Sequence, residues 1–181
     1  MRPKRYSSEG IVLARRSYSE ADRILVVYSR NYGKISFMAK GVRKPKSRKR
    51  GSLEVFSHIK FSAARGRNLD IIEEVEIIDS FQKIRKSLKR VAVAYYLMEV
   101  VGRVTREDKK NEKFFILILK YLQNLKTTKS LRKLREEFIF QTLVLLGFWP
   151  KGRIMDNPDK ILENVVEREI NSIRVGKKLL S

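Results

Sequence analysis

Between Glu9 and Asp79 the chain carries five short stretches rich in β-branched and aromatic residues, with no stretch among them long enough for a crossover helix. "EGIVLARR" is an apolar run flanked by charge. "DRILVVYS" and "GKISFMAK" enclose "RNYG", where Gly33 is free to take a positive φ, so the two read as a hairpin. "LEVFSHIKFSA" sets Leu53, Val55, Ile59 and Phe61 at alternate positions, which predicts a fourth strand with one buried face. The turn "RGRN" then leads into "LDIIEEVEIID", a fifth strand. Strands joined without crossover helices are expected to pair antiparallel, and a small closed or partly closed barrel is the economical way to remove their edges.

After Asp79 the apolar period changes from two to between three and four. Phe81, Ile84, Leu88, Val91, Tyr95 and Met98 form one helical stripe, and Phe114, Phe115, Ile118 and Leu122 form a second. Leu131, Leu134, Phe138, Thr142 and Leu145 form a third, ending at Gly147 with Pro150 beyond. A weaker helix begins near "NPDKILENVVEREI", with Asn157 as N-cap and Pro158 at its first position. "EDKKNEK" reads as a solvated connection. The expected class is α+β: a five-stranded barrel module over residues 1–80, followed by a small all-helical domain over 81–181.

Charge narrows the function. Of 181 residues, 41 are Lys or Arg and 20 are Asp or Glu, a formal net charge of +21. A polyanionic partner is the simplest reason for a fold to tolerate that self-repulsion. No cysteine is present, which removes disulfides, thiol nucleophiles and cysteine zinc sites, and agrees with a reducing cytoplasm. The opening "MRPKRYSSEG" reads as neither an export signal nor part of a membrane span.

Catalytic groups are scarce. His58, the single histidine, falls on the polar side of its strand and reads as a surface or hairpin-facing residue, with no serine–carboxylate constellation around it. Glu73, Glu74 and Glu76 resemble a metal cluster in composition only. Without a histidine or a second acidic motif they read as a solvated face, and no metal or cofactor is expected. Gly41 followed by "KS" imitates a phosphate-binding loop, but Pro45 stands where that loop needs a glycine N–H, and a strand follows instead of a helix.

What remains is binding. "KGVRKPKSRKRG", residues 40–51, holds Lys40, Arg43, Lys44, Lys46, Arg48, Lys49 and Arg50 with no acid. A loop tethered by strands at both ends and stiffened by Pro45 reads as a grip on a nucleic-acid backbone. A flexible solvated loop is the plainer reading of the same charge run. On the adjoining hairpin, Tyr28 and Phe37 read as barrel core, while Tyr32 at the turn is a candidate for base stacking. Arg15, Arg16 and Lys34 would extend the basic surface. Lys86, Lys89 and Arg90 read either as a polar helix face or as a second strand-holding site.

The stretch from "EGIVLARR" to "GSLEVFS", with "DRI" after an acid, "YGK" at the hairpin and "AKGVRKPKSR", resembles the amino-terminal part of the RecO family of bacterial recombination mediators. "LLGFWP" is similar to the end of a helix in its second domain, and "VGKKLLS" resembles the family's closing segment. The resemblance implies an OB-fold followed by a helical domain. It also implies an ATP-independent, cytoplasmic, nucleoid-associated protein that binds single- and double-stranded DNA, anneals complementary strands and assists RecA loading. RecR and the acidic tail of the single-stranded DNA-binding protein are the implied partners. DNA contact would fall on Lys40, Arg43, Lys44, Lys46 and Arg48, with Lys49 and Arg50 added by charge alone. Many members carry a cysteine zinc module after "LLG", so a short form with an abbreviated helical domain is expected here.

Three other functions compete with that reading. An RNA-binding or ribosome-associated OB protein fits the same charge and predicts preference for structured RNA. A nuclease using Glu73, Glu74 and Glu76 with Mg²⁺ predicts metal-dependent cleavage, and a structural adaptor leaves the basic loop without a purpose.

Overall fold

The computed structural model describes residues 2–47, 49, 51 and 53–169. Five strands come first: β1 (Arg5–Ser17), β2 (Arg23–Ser29), β3 (Gly33–Ala39), β4 (His58–Ala64) and β5 (Asp70–Asp79). They close into a barrel in the order β1-β2-β3-β5-β4, the OB arrangement. β1 is long enough to serve two partners. Its first half pairs with β4, from Arg5↔Ala64 to Ile11↔His58, and its second half pairs with β2, with a register shift between Val12 and Ala14.

The pairing corrects the all-antiparallel expectation in one place. β3 and β5 run parallel, through Phe37↔Asp70 and Met38↔Ile71. The reason is topological: strand directions can alternate all the way round a ring only if the ring has an even number of members. With five strands one pair must be parallel, and it falls between β3 and β5 because the excursion after β3 carries the chain across the barrel to pair β4 with β1. The pairing is short, so the upstream part of β3 needs other cover. It gets it from the chain after the second helix, where Asp108 donates its N–H to the Lys34 carbonyl across 3.1 Å and Glu107 bridges to Lys34. The "EDKK" connection is exposed but lies along the sheet edge. Gly33, at φ 74°, turns beneath it, and a Cβ there would come within 2.3 Å of the Lys109 carbonyl oxygen.

The fourth strand also begins later than its alternation suggests. Leu53, Val55 and Phe56 are buried, yet residues 53–57 form turns, and Phe56 takes a left-handed φ of 58°. Phe56 N–H donates to Val12 O at 2.7 Å and Val12 N–H to Ser57 O at 3.1 Å, so this segment clasps β1 before β4 starts. Leu53 enters the barrel interior while Val55 and Phe56 enter the core beside the helices. A loop that fills two cores in turn imitates the period of a strand.

The helices follow: α1 (Gln82–Arg85), α2 (Leu88–Val104), α3 (Glu112–Leu125), α4 (Leu131–Leu145) and α5 (Pro158–Glu169). Each of the last four starts where a short polar side chain takes up a free backbone N–H: Ser87, Asn111, Ser130 and Asn157 respectively. The single stripe expected from Phe81 to Met98 is broken between α1 and α2. Ser87 restarts the helix in a new phase, leaving Leu88 and Tyr95 exposed while Ala94, Leu97, Met98 and Val101 turn inward. α2 lies against β1, α3 and α4 pack on each other, and α5 covers α4 and α2.

Two cores result. Inside the barrel lie Val12, Leu25, Val27, Ile35, Phe37, Ile59 and Phe61, and outside it Ile11, Leu13 and Tyr28 join Phe81, Phe114, Phe115, Leu122 and Phe138. Ile11, Val12 and Leu13 are all buried because β1 has a core on either face. His58 is a correction of the same kind. It stands on the outer face of β4, as its position suggests, but α3 covers that face. The imidazole is buried 5.9 Å from the Phe115 ring centroid, with Nε2 3.2 Å from a Glu9 carboxylate oxygen.

Candidate nucleic-acid interface

The basic loop leaves the barrel at Ala39 and is held by what it buries. Val42 is fully buried in the barrel core and so is Leu53, so the loop is a strap sealed into the barrel at both ends. Its first turn docks on the β1–β2 connection, residues 18–22. Gly41 N–H donates to the Asp22 carboxylate at 2.8 Å, Arg43 N–H to Ala21 O at 2.9 Å, and the Arg43 guanidinium to Ser19 O at 2.6 Å. Gly41 sits at φ 66°, which the tight turn back onto Asp22 requires. Further along, Lys44 N–H donates to Gly41 O and Ser47 N–H to Lys44 O, winding the segment into consecutive turns.

Lys40, Arg43, Lys44 and Lys46 are exposed along this strap. Among the described residues none forms an ion pair with Lys40, Lys44 or Lys46, so their ammonium groups meet solvent. Lys49 behaves differently: half-buried, it donates to Ile72 O on β5 at 3.3 Å and ties the strap to the barrel wall. Arg48 and Arg50 lie outside the described residues.

Several cations that charge alone would add to the surface are taken up structurally. Lys34 reaches the carboxyl end of α2, donating to Gly102 O at 2.8 Å and Thr105 O at 2.5 Å, and burial pulls its pKa below the ordinary lysine value. Arg90 donates to Thr128 O at 2.9 Å and to Leu125 O, closing the end of α3. Arg15 pairs with Glu54 at 2.5 Å. Arg16, Lys86 and Lys89 are exposed.

The aromatic candidates separate. Tyr28 and Phe37 are core. Tyr32 is half-buried, with its ring edge-to-face on Tyr6 at 4.8 Å. The β2–β3 register runs from Arg23↔Ala39 beside the strap to Ser29↔Gly33 beside Tyr32. Six strand steps of about 3.3 Å put Tyr32 roughly 20 Å from the strap's root. Two residues that the periodicity does not single out are local instead: Asp22, the strap's anchor, and Tyr18, 64% exposed in the same connection. The signal for Asp22 was its place before "RI" in the motif already noted. Tyr18 had none.

The acids of β5 are spread over different partners. Glu73 pairs with Arg5 at 3.4 Å and Asp79 with Lys126 at 2.5 Å. Asp70 is buried, taking hydrogen bonds from Tyr6 Oη and from Arg2 Nε at 2.9 Å. Glu74 and Glu76 are exposed. Among the described residues no group of histidines and acids is placed to hold a metal ion, and no helix is long and apolar enough to cross a membrane.

Residues 1–81 match the family Recombination protein O N terminal, and residues 85–152 match Recombination protein O C terminal. The chain belongs to the RecO family. Over 147 residues it is 40% identical to the DNA repair protein RecO of Pelotomaculum thermopropionicum, covering 81% of this chain and 57% of that protein. The corresponding protein of Symbiobacterium thermophilum is 34% identical over 146 residues, 80% and 58% of the two chains. That of Moorella thermoacetica is 33% identical over 149 residues, 82% and 55%. The chain thus matches somewhat more than half the length of these RecO relatives. The boundary between the two family matches falls where β5 gives way to α1, so the RecO halves coincide with the change from strand to helix.

Proposed function

We propose that this chain is a recombination mediator of DNA repair that grips single- and double-stranded DNA through the strap and anneals complementary strands without ATP. The observation that carries the reading is the strap itself: exposed Lys40, Lys44 and Lys46, with no acidic partner among the described residues, held on an OB barrel by buried ends and backbone hydrogen bonds. Two strands repel through their phosphates. A surface with a net charge of +21 lowers that repulsion and raises their local concentration, with no covalent step. In this reading residues 1–80 form the DNA-binding module and 81–181 the helical module that braces it. RecR and the tail of the single-stranded DNA-binding protein are its partners, RecA loading is the outcome, and it works in the cytoplasm at the nucleoid. RecO relatives that are named for DNA repair support the assignment.

The test is annealing of two labelled complementary oligonucleotides across a salt series, with intact protein and with Lys40, Lys44 and Lys46 changed together to Ala. These three carry charge without holding the strap in place, whereas Arg43 does both. Each lost contact to a single strand should lower the slope of log K against log salt by about 0.7, so three contacts remove roughly two. Binding without annealing, or a triple variant that anneals like the intact protein, defeats the proposal. Stronger binding to structured RNA than to DNA would move the RNA-binding reading to its place.

A further inference from the structure

Tyr18 is 64% exposed in the β1–β2 connection and belongs to neither core. Its backbone is nonetheless fixed. Tyr18 N–H donates to Asp22 O at 3.1 Å, closing the turn, and Asp22 N–H donates to the Ser19 hydroxyl at 3.2 Å. The same five residues receive the root of the strap, through Ser19 O, Ala21 O and the Asp22 carboxylate. An exposed aromatic residue is therefore anchored by its backbone beside the root of the strap, whose Lys40, Lys44 and Lys46 have no acidic partner among the described residues. The other exposed tyrosine, Tyr95, has its ring edge-to-face on Phe56 at 5.9 Å.

We propose that Tyr18 is a base-stacking platform for single-stranded nucleic acid whose phosphates lie on Lys40, Arg43, Lys44 and Lys46. This rests on the DNA-gripping reading and adds to it a means of telling single strands from double. Stacking on a tyrosine needs a base with a free face, which every unpaired base has and a base inside a duplex lacks. The cations take either form. Glu20, exposed in the same turn, disfavours a phosphate at the turn itself and leaves that place to the base.

The experiment compares intact protein, Tyr18→Ala, Tyr18→Phe and the Lys40/Lys44/Lys46 triple variant, each as the full chain. The ligands are three: a thymidine oligonucleotide, an abasic strand of equal length, and a duplex. Tyr18→Ala should weaken binding of the thymidine strand by about 5- to 150-fold while leaving the abasic strand, the duplex and the salt slope unchanged. Tyr18→Phe should bind like the intact protein. The triple variant should weaken all three ligands and flatten the slope. Equal losses on thymidine and abasic strands, or no loss on either, overturn the stacking role while the grip survives. If the triple variant binds every ligand like the intact protein, the grip fails and the stacking proposal falls with it.

Discussion

Gly41 donates its backbone N–H to the Asp22 carboxylate across 2.8 Å, joining the start of the basic strap to the connection between the first two strands. An acid thus sits at the base of a cationic loop without neutralising its exposed tips. Its role is to hold backbone, and the two effects of removing it have opposite signs. Asp22→Ala raises the net charge by one, which favours a polyanion, but frees the strap to sample many conformations. Charge-assisted hydrogen bonds contribute about 1.5–3 kcal/mol. We expect Asp22→Ala to lower stability by about that much in urea titration and to weaken oligonucleotide binding severalfold despite the added charge. Tighter binding would show that the strap needs no anchoring. Gly41→Ala offers a charge-neutral check, since its φ of 66° costs a side chain about 1–2 kcal/mol.

Lys34 and Lys44 should behave in opposite ways on substitution by Met. The Lys34 ammonium is half-buried against the last carbonyls of α2, so its loss leaves Gly102 O and Thr105 O unpaired and costs about 1–3 kcal/mol of stability. The slope of log K against log salt should not move. Lys44 is exposed, and its loss should leave the urea midpoint in place and lower that slope by about 0.7 on a single strand. A shallower slope for Lys34→Met would put that ammonium on DNA instead of the helix end.

What the sequence disclosed depended on the range of the interaction that placed each residue. The β-branched and aromatic runs of β2 and β3 about their turn, and the stripes of α3 and α4, reflect faces buried by the nearest elements, and these were legible. The parallel contact of Phe37 with Asp70 was not, because it follows from closing an odd ring and leaves no trace in either strand's period. Leu53 and Val55 misled because each fills a different core at the spacing of a strand. Among the cations the loop was conspicuous as a cluster, but nothing local separated Lys34 and Arg90, which cap distant helices, from Lys44 and Lys46, which meet solvent. Tyr18 sits outside every periodic pattern, and only the hydrogen bonds from its turn to the strap give it a role.

Arg85 ties the barrel to the helices at a point of backbone strain. Its guanidinium lies 3.9 Å from the Phe56 ring centroid and donates to Val55 O at 2.9 Å, Ser57 Oγ at 3.1 Å and Ser80 O at 2.8 Å. Phe56 holds a left-handed φ of 58°, a cost of about 1–2 kcal/mol that the packed guanidinium and the Val12 contact help to offset. Lysine cannot reproduce a planar group that stacks and donates in three directions. Arg85→Lys should therefore lose about 2 kcal/mol and Arg85→Ala about 3, read from denaturant midpoints. A lysine variant as stable as the original would reduce the contact to simple charge.

His58 gives the pH dependence a defined sign. Burial beneath α3 pulls its pKa below the ordinary 6.5, outweighing the nearby Glu9 and Asp79 carboxylates, which favour the cation; Arg30 adds to the downward pull. Above about pH 6.5 the imidazole is neutral in both folded and unfolded chains and contributes no slope. As pH falls below that value the unfolded chain takes up its proton first, so the folded state loses stability until the folded pKa is passed. Urea titrations from pH 7.5 to 5.0 should show this loss in the intact protein. In His58→Gln the part of the slope just below pH 6.5 should vanish, leaving the carboxylates to dominate at lower pH. An unchanged slope would mean that Glu9 holds the imidazole at its ordinary pKa. A reversed slope, with stability gained on acidification, would mean that the His58–Glu9 pair is ionised in the fold and that its attraction exceeds the cost of burial.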